Sequence, residues 1–322
     1  MQSINSVLVL GAGGLGAAYG TAIHATKPGL VSFLADGSRA RRLRQEGVVV
    51  NGTPFFLPVV EPQGSSGAES VTEGTPASDE TNAADLILLT VKYHHLPHAV
   101  ELMRPCVGPD TVILSLLNGI DSEEILARSF KSEQILHGMS LGIDAVREGN
   151  QVQCSSLGTV YFGRANNEHI SPEVRLIQEL FTECGITYET PADMIRTLWW
   201  KFMINVGINQ VSAVLEQPYR AFQQPGHAQG LMVTAMREVI SLAAQRGIDI
   251  SEKDIEKWNT VIPRLSPEGK TSMLQDVEGR RKTEVEMLAA KVVELGKELQ
   301  VPTPVNTVLM EILKAKEEAY AR

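Results

Sequence analysis

The chain has 322 residues, of which 43% are hydrophobic and 21% charged, enough apolar material for one large domain or two ordinary ones. A net charge of −9 argues against a nucleic-acid partner, which a basic surface would serve. The three cysteines, Cys106, Cys154 and Cys184, are widely spaced and form no C-x-x-C, which points to a reducing, cytoplasmic setting and away from a disulfide framework or zinc site.

The N-terminus is apolar from Val7 onward, but it has no basic leader and glycines interrupt it. It reads as a first strand and turn, not as a signal peptide. No uninterrupted apolar run approaches the roughly 18 residues of a membrane span. Short apolar runs at Val7–Leu10, 30–34, 86–91 and 112–117 read as buried parallel strands, with helical patterns at 14–25 and 39–46 between them. Residues 61–84 are rich in Gly, Ser, Thr and Glu and read as a long polar surface loop.

The character changes after Glu189. Pro191 opens a helical stretch over 192–215, followed by helical patterns at 231–246, Glu252–Val261, 273–299 and 305–321. Prolines and glycines mark the joints, at Pro218, Pro225, Gly247, Pro263, Pro267 and Pro302. The expectation is an α/β chain: a Rossmann-type, doubly wound dinucleotide-binding domain over residues 1–190, then an all-helical substrate and catalytic domain over 191–322. The active site is expected in the cleft between them.

Gly11-Ala12-Gly13-Gly14-Leu15-Gly16 is a G-x-G-x-x-G that follows the first strand directly and opens a helix. The first glycine makes the tight turn, the second admits the pyrophosphate, and the third lets helix and strand pack closely. The helix N-terminus favours the negative charge. Asp36, after the second strand, suits the ribose hydroxyls of NAD, whereas Arg39 and Arg42 suit the 2′-phosphate of NADP. The two signals conflict. The loop of Gly37 and Ser38 would let Asp36 turn away and pair with an arginine.

In the helix after Pro191, Lys201, Asn205 and Asn209 interrupt an otherwise apolar surface at i, i+4 and i+8, so they share one face. Polar groups in such a setting either satisfy one another or form a site. A second series, Ser272, Asp276, Arg280 and Glu284, also runs at intervals of four. Ser272 and Gln275 have the form of a capping box, so a helix is expected to start at Ser272, with a hydroxyl beside free backbone N–H groups that would take a carboxylate. Asp276 and Arg280 read equally as a surface ion pair.

Taken together these residues resemble the ketopantoate reductase (2-dehydropantoate 2-reductase) family over nearly the whole chain. The similarity lies in the GAGGLG loop, Thr90-Val91-Lys92, Leu117-Asn118-Gly119, the Lys201/Asn205/Asn209 helix, the run from Thr271 to Asp276, and Thr283-Glu284. The resemblance implies reduction of a 2-keto acid, with Lys201 as general acid and Glu284 tuning it and positioning substrate or cofactor ribose. It implies Asn205, Asn209, Ser272, Asp276 and Asn118 on the substrate, and Lys92, Asn118, Ala145 and Glu284 on the cofactor, with Ala145 against the nicotinamide. NADPH is the implied cofactor and NAD the alternative. Two departures bear on the substrate: Tyr219 stands where the family carries an asparagine, and residues 139–144 differ from the family's threonine-rich run.

Two other readings remain at this point. A β-hydroxyacid dehydrogenase also pairs a dinucleotide domain with a helical domain and a lysine, and a non-catalytic dinucleotide sensor would need only the first half. No metal site is expected: His94 and His98 have ligand spacing, but Pro97 should break the helix that would align them. The partner is expected to be a small 2-keto acid, without nucleic acid or membrane; the sequence leaves the oligomeric state open, a homodimer included. Residues 314–322 read as a solvated charged tail.

Overall fold

A computed structural model describes residues 3–62 and 83–320. The polar loop expected at 61–84 lies, apart from its ends, outside the described residues. The chain forms two compact units, Met1–Leu117 with Asp121–Met194, and Asn118–Ile120 with Ile195–Arg322.

In the first unit the strands are β1 (Val7–Leu10), β2 (Val31–Leu34), β3 (Val48–Val50), β4 (Thr53–Phe55), β5 (Val59–Val60), β6 (Leu86–Leu89), β7 (Val112–Ser115), β8 (Ile135–Leu141), β9 (Asp144–Glu148), β10 (Gln151–Ser156), β11 (Thr159–Gly163) and β12 (Tyr188–Glu189). An eight-stranded sheet runs in the order β12-β11-β8-β7-β6-β1-β2-β5. It is parallel from β5 through β8, and β11 pairs antiparallel with β8. Every residue of β1, β6 and β7 is buried, because helices cover both faces. Alternate residues supply the two faces. Val7, Val9, Leu86 and Leu88 pack in one apolar layer, and Leu8, Leu10, Ile87 and Leu89 in the other. The strand order reverses at β1, with β2 on one side and β6 on the other, so the end of β1 is the switch point at which open α/β sheets bind ligands.

The helices of this unit are α1 (Gly14–Thr26), α2 (Gly37–Glu46), α3 (Leu96–Met103), α4 (Ser122–Ala127) and α5 (Pro172–Glu183). Pro97 lies in the first turn of α3 and starts that helix where it was expected to break one, because its missing N–H has no intrahelical partner there in any case. A second sheet, β4-β3-β10-β9, was not expected. Its strands are short and mixed in polarity, and β3 and β10 pair across about a hundred residues, so no local pattern announced it. This sheet packs on α1, and the Tyr19 hydroxyl of α1 lies 3.0 Å from Ser140 Oγ and donates to the Leu157 carbonyl at 2.8 Å.

The second unit holds α6 (Met194–Ile204), α7 (Gln210–Leu215), α8 (His227–Gln245), α9 (Glu252–Val261), α10 (Ser272–Glu278), α11 (Lys291–Leu299) and α12 (Pro304–Tyr320). A π-helical turn, Asn205–Asn209, joins α6 to α7 without a break. A buried polar chain ties these helices together. Gln210 donates to the Val206 carbonyl and to Asn306 Oδ1, Asn306 donates to Glu238, and Glu238 accepts the Val305 and Asn306 amides at the start of α12.

The single helix expected over 273–299 is broken. Gly279 follows α10, Arg280 adopts φ +49°, and the Arg281 amide donates back to the Asp276 carbonyl at 2.8 Å, a C-terminal closure of the Schellman type. Helix resumes at a π turn, Glu286–Ala290. The interval-of-four series from Ser272 to Glu284 is therefore not a stripe on one helix.

Candidate active site

The glycine-rich turn is shaped by close approach. Gly11 adopts φ +111°, and a Cβ there would lie 2.8 Å from the Thr90 carbonyl carbon. A Cβ on Gly16 would collide with the Gly11 carbonyl and the Thr90 hydroxyl. Thr90 Oγ1 itself donates to the Gly11 carbonyl at 2.8 Å and fastens the turn to β6. Around Gly13, by contrast, nothing lies within 4 Å of a notional Cβ. The first bond within α1 runs from the Ala17 amide to the Gly13 carbonyl, which leaves the amides of Gly14, Leu15 and Gly16 without an acceptor in the helix. No acidic residue occupies that first turn. Open space, free amides and the absence of a carboxylate in the turn fit a dinucleotide pyrophosphate. Ala12 is buried beneath the turn.

Asp36 is the N-cap residue of α2, and its Oδ2 lies 3.0 Å from His98 Nε2. It was expected to pair with an arginine if it turned away; it meets a histidine instead. Arg39 and Arg42 are exposed on α2. Desolvation, with Arg42 nearby, moves the Arg39 guanidinium below its usual pKa. Lys92 is exposed just after β6. Ala145 lies on β9 of the second sheet, and its carbonyl is 2.7 Å from where a Gly14 Cβ would be, so that strand abuts the glycine-rich turn.

In the second unit Lys201 sits near the end of α6, beside buried Trp199 and Phe202, whose rings meet edge to face at 6.0 Å. Its side chain keeps some solvent exposure while its charged end is enclosed. Burial lowers its pKa to about 8, and the Glu284 carboxylate opposes the shift. Glu284 is buried and accepts a hydrogen bond from Asn118 Nδ2 at 3.1 Å. The irregular segment carrying Glu284 is pinned by Thr283, whose amide and hydroxyl both donate to Glu317 of α12, at 2.7 and 2.5 Å.

Asn205 and Asn209 open and close the π turn and are buried, and no hydrogen bond joins either side-chain amide to another described residue. A π turn advances less angle per residue than an α turn, so Asn209 swings back towards the meridian of Lys201. The capping reading of Ser272 needs correction. The cap is Thr271, whose Oγ1 accepts the Leu274 amide at 3.1 Å; Ser272 is the first helical residue, exposed, with its hydroxyl released from capping. Asp276 is buried and pairs with Arg281 Nε at 3.0 Å, and the neighbouring Arg280 takes the left-handed backbone conformation of the turn.

Family models agree with this arrangement along most of the chain. The model for ketopantoate reductase PanE/ApbA matches residues 7–167, and that for the C-terminal part of the same family matches residues 193–317. The chain belongs to the ketopantoate reductase family. It is accordingly an oxidoreductase. It is 26% identical over 311 residues to the 2-dehydropantoate 2-reductase of Halobacterium salinarum, covering 96% of this chain and 97% of that protein. The crystal structure of 2-dehydropantoate 2-reductase from Methylococcus capsulatus superposes with a TM-score of 0.79 at 25% identity, covering 98% of both chains. The fold is also that of D-mandelate dehydrogenase in its ternary structure with NADH and anilino(oxo)acetate, with a TM-score of 0.85 at 23% identity over 98% of this chain and 99% of that one.

Two contributors, Glu317 and Arg147, lie outside the sequence reading, and Thr90 stands in it only beside Lys92, without a role of its own. Thr90 locks the glycine-rich turn, Glu317 holds the segment that presents Glu284, and Arg147, on β9, brings a guanidinium to the neighbourhood of Arg39 and Arg42. The first two act through hydrogen bonds between residues 79 and 34 positions apart, beyond the reach of any local pattern. No described group of three or more His, Cys, Asp or Glu residues is placed to hold a metal ion, and no described helix is long and apolar enough to cross a membrane.

Proposed function

We propose that the protein catalyses NADPH-dependent reduction of a branched 2-keto acid, with 2-dehydropantoate converted to pantoate as the leading case. The observation that carries the reading is Lys201: an enclosed ammonium with its pKa lowered to about 8 beside a buried carboxylate, on the same helical run as two buried amides that form no hydrogen bond among the described residues. A bound dihydronicotinamide supplies the hydride. The amides of the glycine-rich turn bind its pyrophosphate, and Arg39 and Arg42 draw a 2′-phosphate. Lys92, Asn118 and Ala145 complete the cofactor contacts.

As the keto carbon accepts hydride, charge builds on its oxygen. Lys201 Nζ stabilises that charge and transfers a proton to it, leaving a neutral amine that water reprotonates. Glu284 keeps the lysine protonated near neutral pH while burial makes the proton easy to give up. Asn205 and Asn209 donate to the substrate, and the Ser272 hydroxyl takes part in holding its carboxylate, with Asp276 and its partner Arg281 shaping that end of the site. Tyr219 stands where the family resemblance implies an asparagine, and the loss of that amide with the gain of a ring favours, as a second substrate, an aryl 2-keto acid that needs fewer hydrogen bonds and can meet the ring.

The test is kcat/KM for a panel of 2-keto acids, including 2-dehydropantoate and an aryl-2-keto acid, with NADPH and NADH separately. The expected result is highest efficiency on 2-dehydropantoate with NADPH. A tenfold preference for NADH, about 1.4 kcal/mol of transition-state binding, would show that Asp36 decides the cofactor and that Arg39 and Arg42 are surface residues.

A further inference from the structure

Among the described residues, Arg147 carries an unsatisfied donor. Arg147 lies on β9, and its Nε donates to the Gly149 carbonyl at 2.7 Å. Its Nη1 is buried and has no hydrogen-bond partner among the described residues. A buried charged donor without an acceptor is costly, and a fold that keeps one commonly keeps it for a ligand.

Its position suggests the ligand. Alternate residues of a strand share a face, so Arg147 projects on the same side of β9 as Ala145. Ala145 abuts Gly14 in the glycine-rich turn. Two residues of strand put Arg147 on the order of 7 Å further along. From the other side comes α2: burial lowers the Arg147 guanidinium below its usual pKa, and Arg39 and Arg42 are near enough to add to that shift, as Arg42 adds to the burial-driven lowering of Arg39. Three like charges from two separate elements therefore converge beside the turn. The nearby acids have partners of their own, although Asp36 also draws the Arg39 pKa part of the way back up. Asp36 faces His98, and Glu61 accepts the Gly37 amide at 2.8 Å and Arg44 Nη1 at 2.7 Å.

We propose that Arg147 joins Arg39 and Arg42 in a three-guanidinium seat for a phosphomonoester dianion, the 2′-phosphate of an adenosine ribose. This rests on the NADPH reading and assigns it a determinant from outside the second strand and its helix. Guanidinium forks match phosphate oxygens with paired donors, and the dianion relieves the mutual repulsion that the protein alone leaves in place. The orphaned Nη1 gains its acceptor in the same event.

The test uses the full-length protein and calorimetric titration with adenosine 2′,5′-bisphosphate and with 5′-AMP, which differ only by the phosphate in question. The unaltered protein is expected to bind the bisphosphate at least tenfold more tightly. Arg147→Met should lose most of that preference and leave 5′-AMP affinity unchanged. Arg147→Lys keeps the charge but not the fork, so it should fall between the two, and it serves as the measurement should the methionine variant fail to fold. Equal affinity of the unaltered protein for both ligands would overturn the NADPH reading itself. A preference retained in full by both variants would overturn the role of Arg147 alone and leave the phosphate to Arg39 and Arg42.

Discussion

The two units each hold a cationic centre, and the two are built in opposite ways. In the helical unit a single ammonium, Lys201, is depressed by burial and partly restored by one carboxylate, Glu284. In the α/β unit the guanidiniums of Arg39 and Arg147 are depressed, first by desolvation and then by neighbouring like charges that include Arg42. The first balance brings a lysine to about 8, within a proton's reach of neutral pH. The second cannot release a proton at any ordinary pH, because guanidinium stays charged. Burial with one counter-charge makes a group that titrates; crowding of permanent charges makes a seat for an anion. The comparison teaches that the pattern of neighbours, more than the sign of a charge, separates chemistry from binding.

The sharpest way to break this comparison is to remove the lysine. Lys201→Ala is expected to lower kcat by roughly two to four orders of magnitude, the usual contribution of a positioned acid together with its electrostatic stabilisation. Dinucleotide affinity, measured by fluorescence titration, should stay near that of the unaltered protein, because the anion seat belongs to other residues. Turnover close to normal in this variant would remove Lys201 from the mechanism.

A smaller effect should come from the counter-charge. In the proposed mechanism Lys201 supplies, below about pH 8, the proton that reduction consumes, so kcat/KM is expected to fall as pH rises through that value. Glu284→Gln removes the carboxylate that raises the lysine pKa, and the fall should move to lower pH by on the order of one unit. A pH–rate profile from 6 to 10 checks both. Binding of adenosine 2′,5′-bisphosphate should show no matching step near pH 8, since the arginines do not titrate there. An unmoved profile in Glu284→Gln would mean that Glu284 has no electrostatic hold on Lys201.

The smallest changes are expected from the proposed substrate contacts. Asn209→Ala and Ser272→Ala should each raise the keto-acid KM by roughly tenfold, the order expected for one hydrogen bond to a charged group. Dinucleotide affinity should be unchanged in both. A selective loss of dinucleotide binding would move these residues to the cofactor.

Much of the fold was legible because it is written locally. Four apolar runs and one glycine-rich turn mark β1, β2, β6 and β7, and hydrophobic periodicity marks the helices after Pro191. The same local reading misjudged the segment from Met273 to Leu299. Its periodicity is helical on both sides of Gly279, and the stop depends on Arg280 entering the left-handed region, which a residue other than glycine seldom does without tertiary support. Only Ser272 has a glutamine three residues on, as the capping-box template asks, whereas Thr271 is followed at that distance by Leu274 and caps through its hydroxyl alone. The spacing of Lys201, Asn205 and Asn209 could be read, but not the π turn that alters the angle between the two amides.

The sequence by itself therefore determined the strand–turn–helix that can receive a pyrophosphate, the change from α/β to helical character, and the helix that carries the lysine. Each of these depends on residues within a few positions of one another, where steric and hydrophobic periodicity act directly. Tertiary structure alone decided the electrostatics. It placed Glu284 where it acts on Lys201, 83 residues earlier in the chain, turned Asp36 to His98, and carried Arg147 on an unexpected sheet to the arginines of α2. Charge interacts through space and burial, and neither distance nor burial is a property of neighbouring letters in the chain.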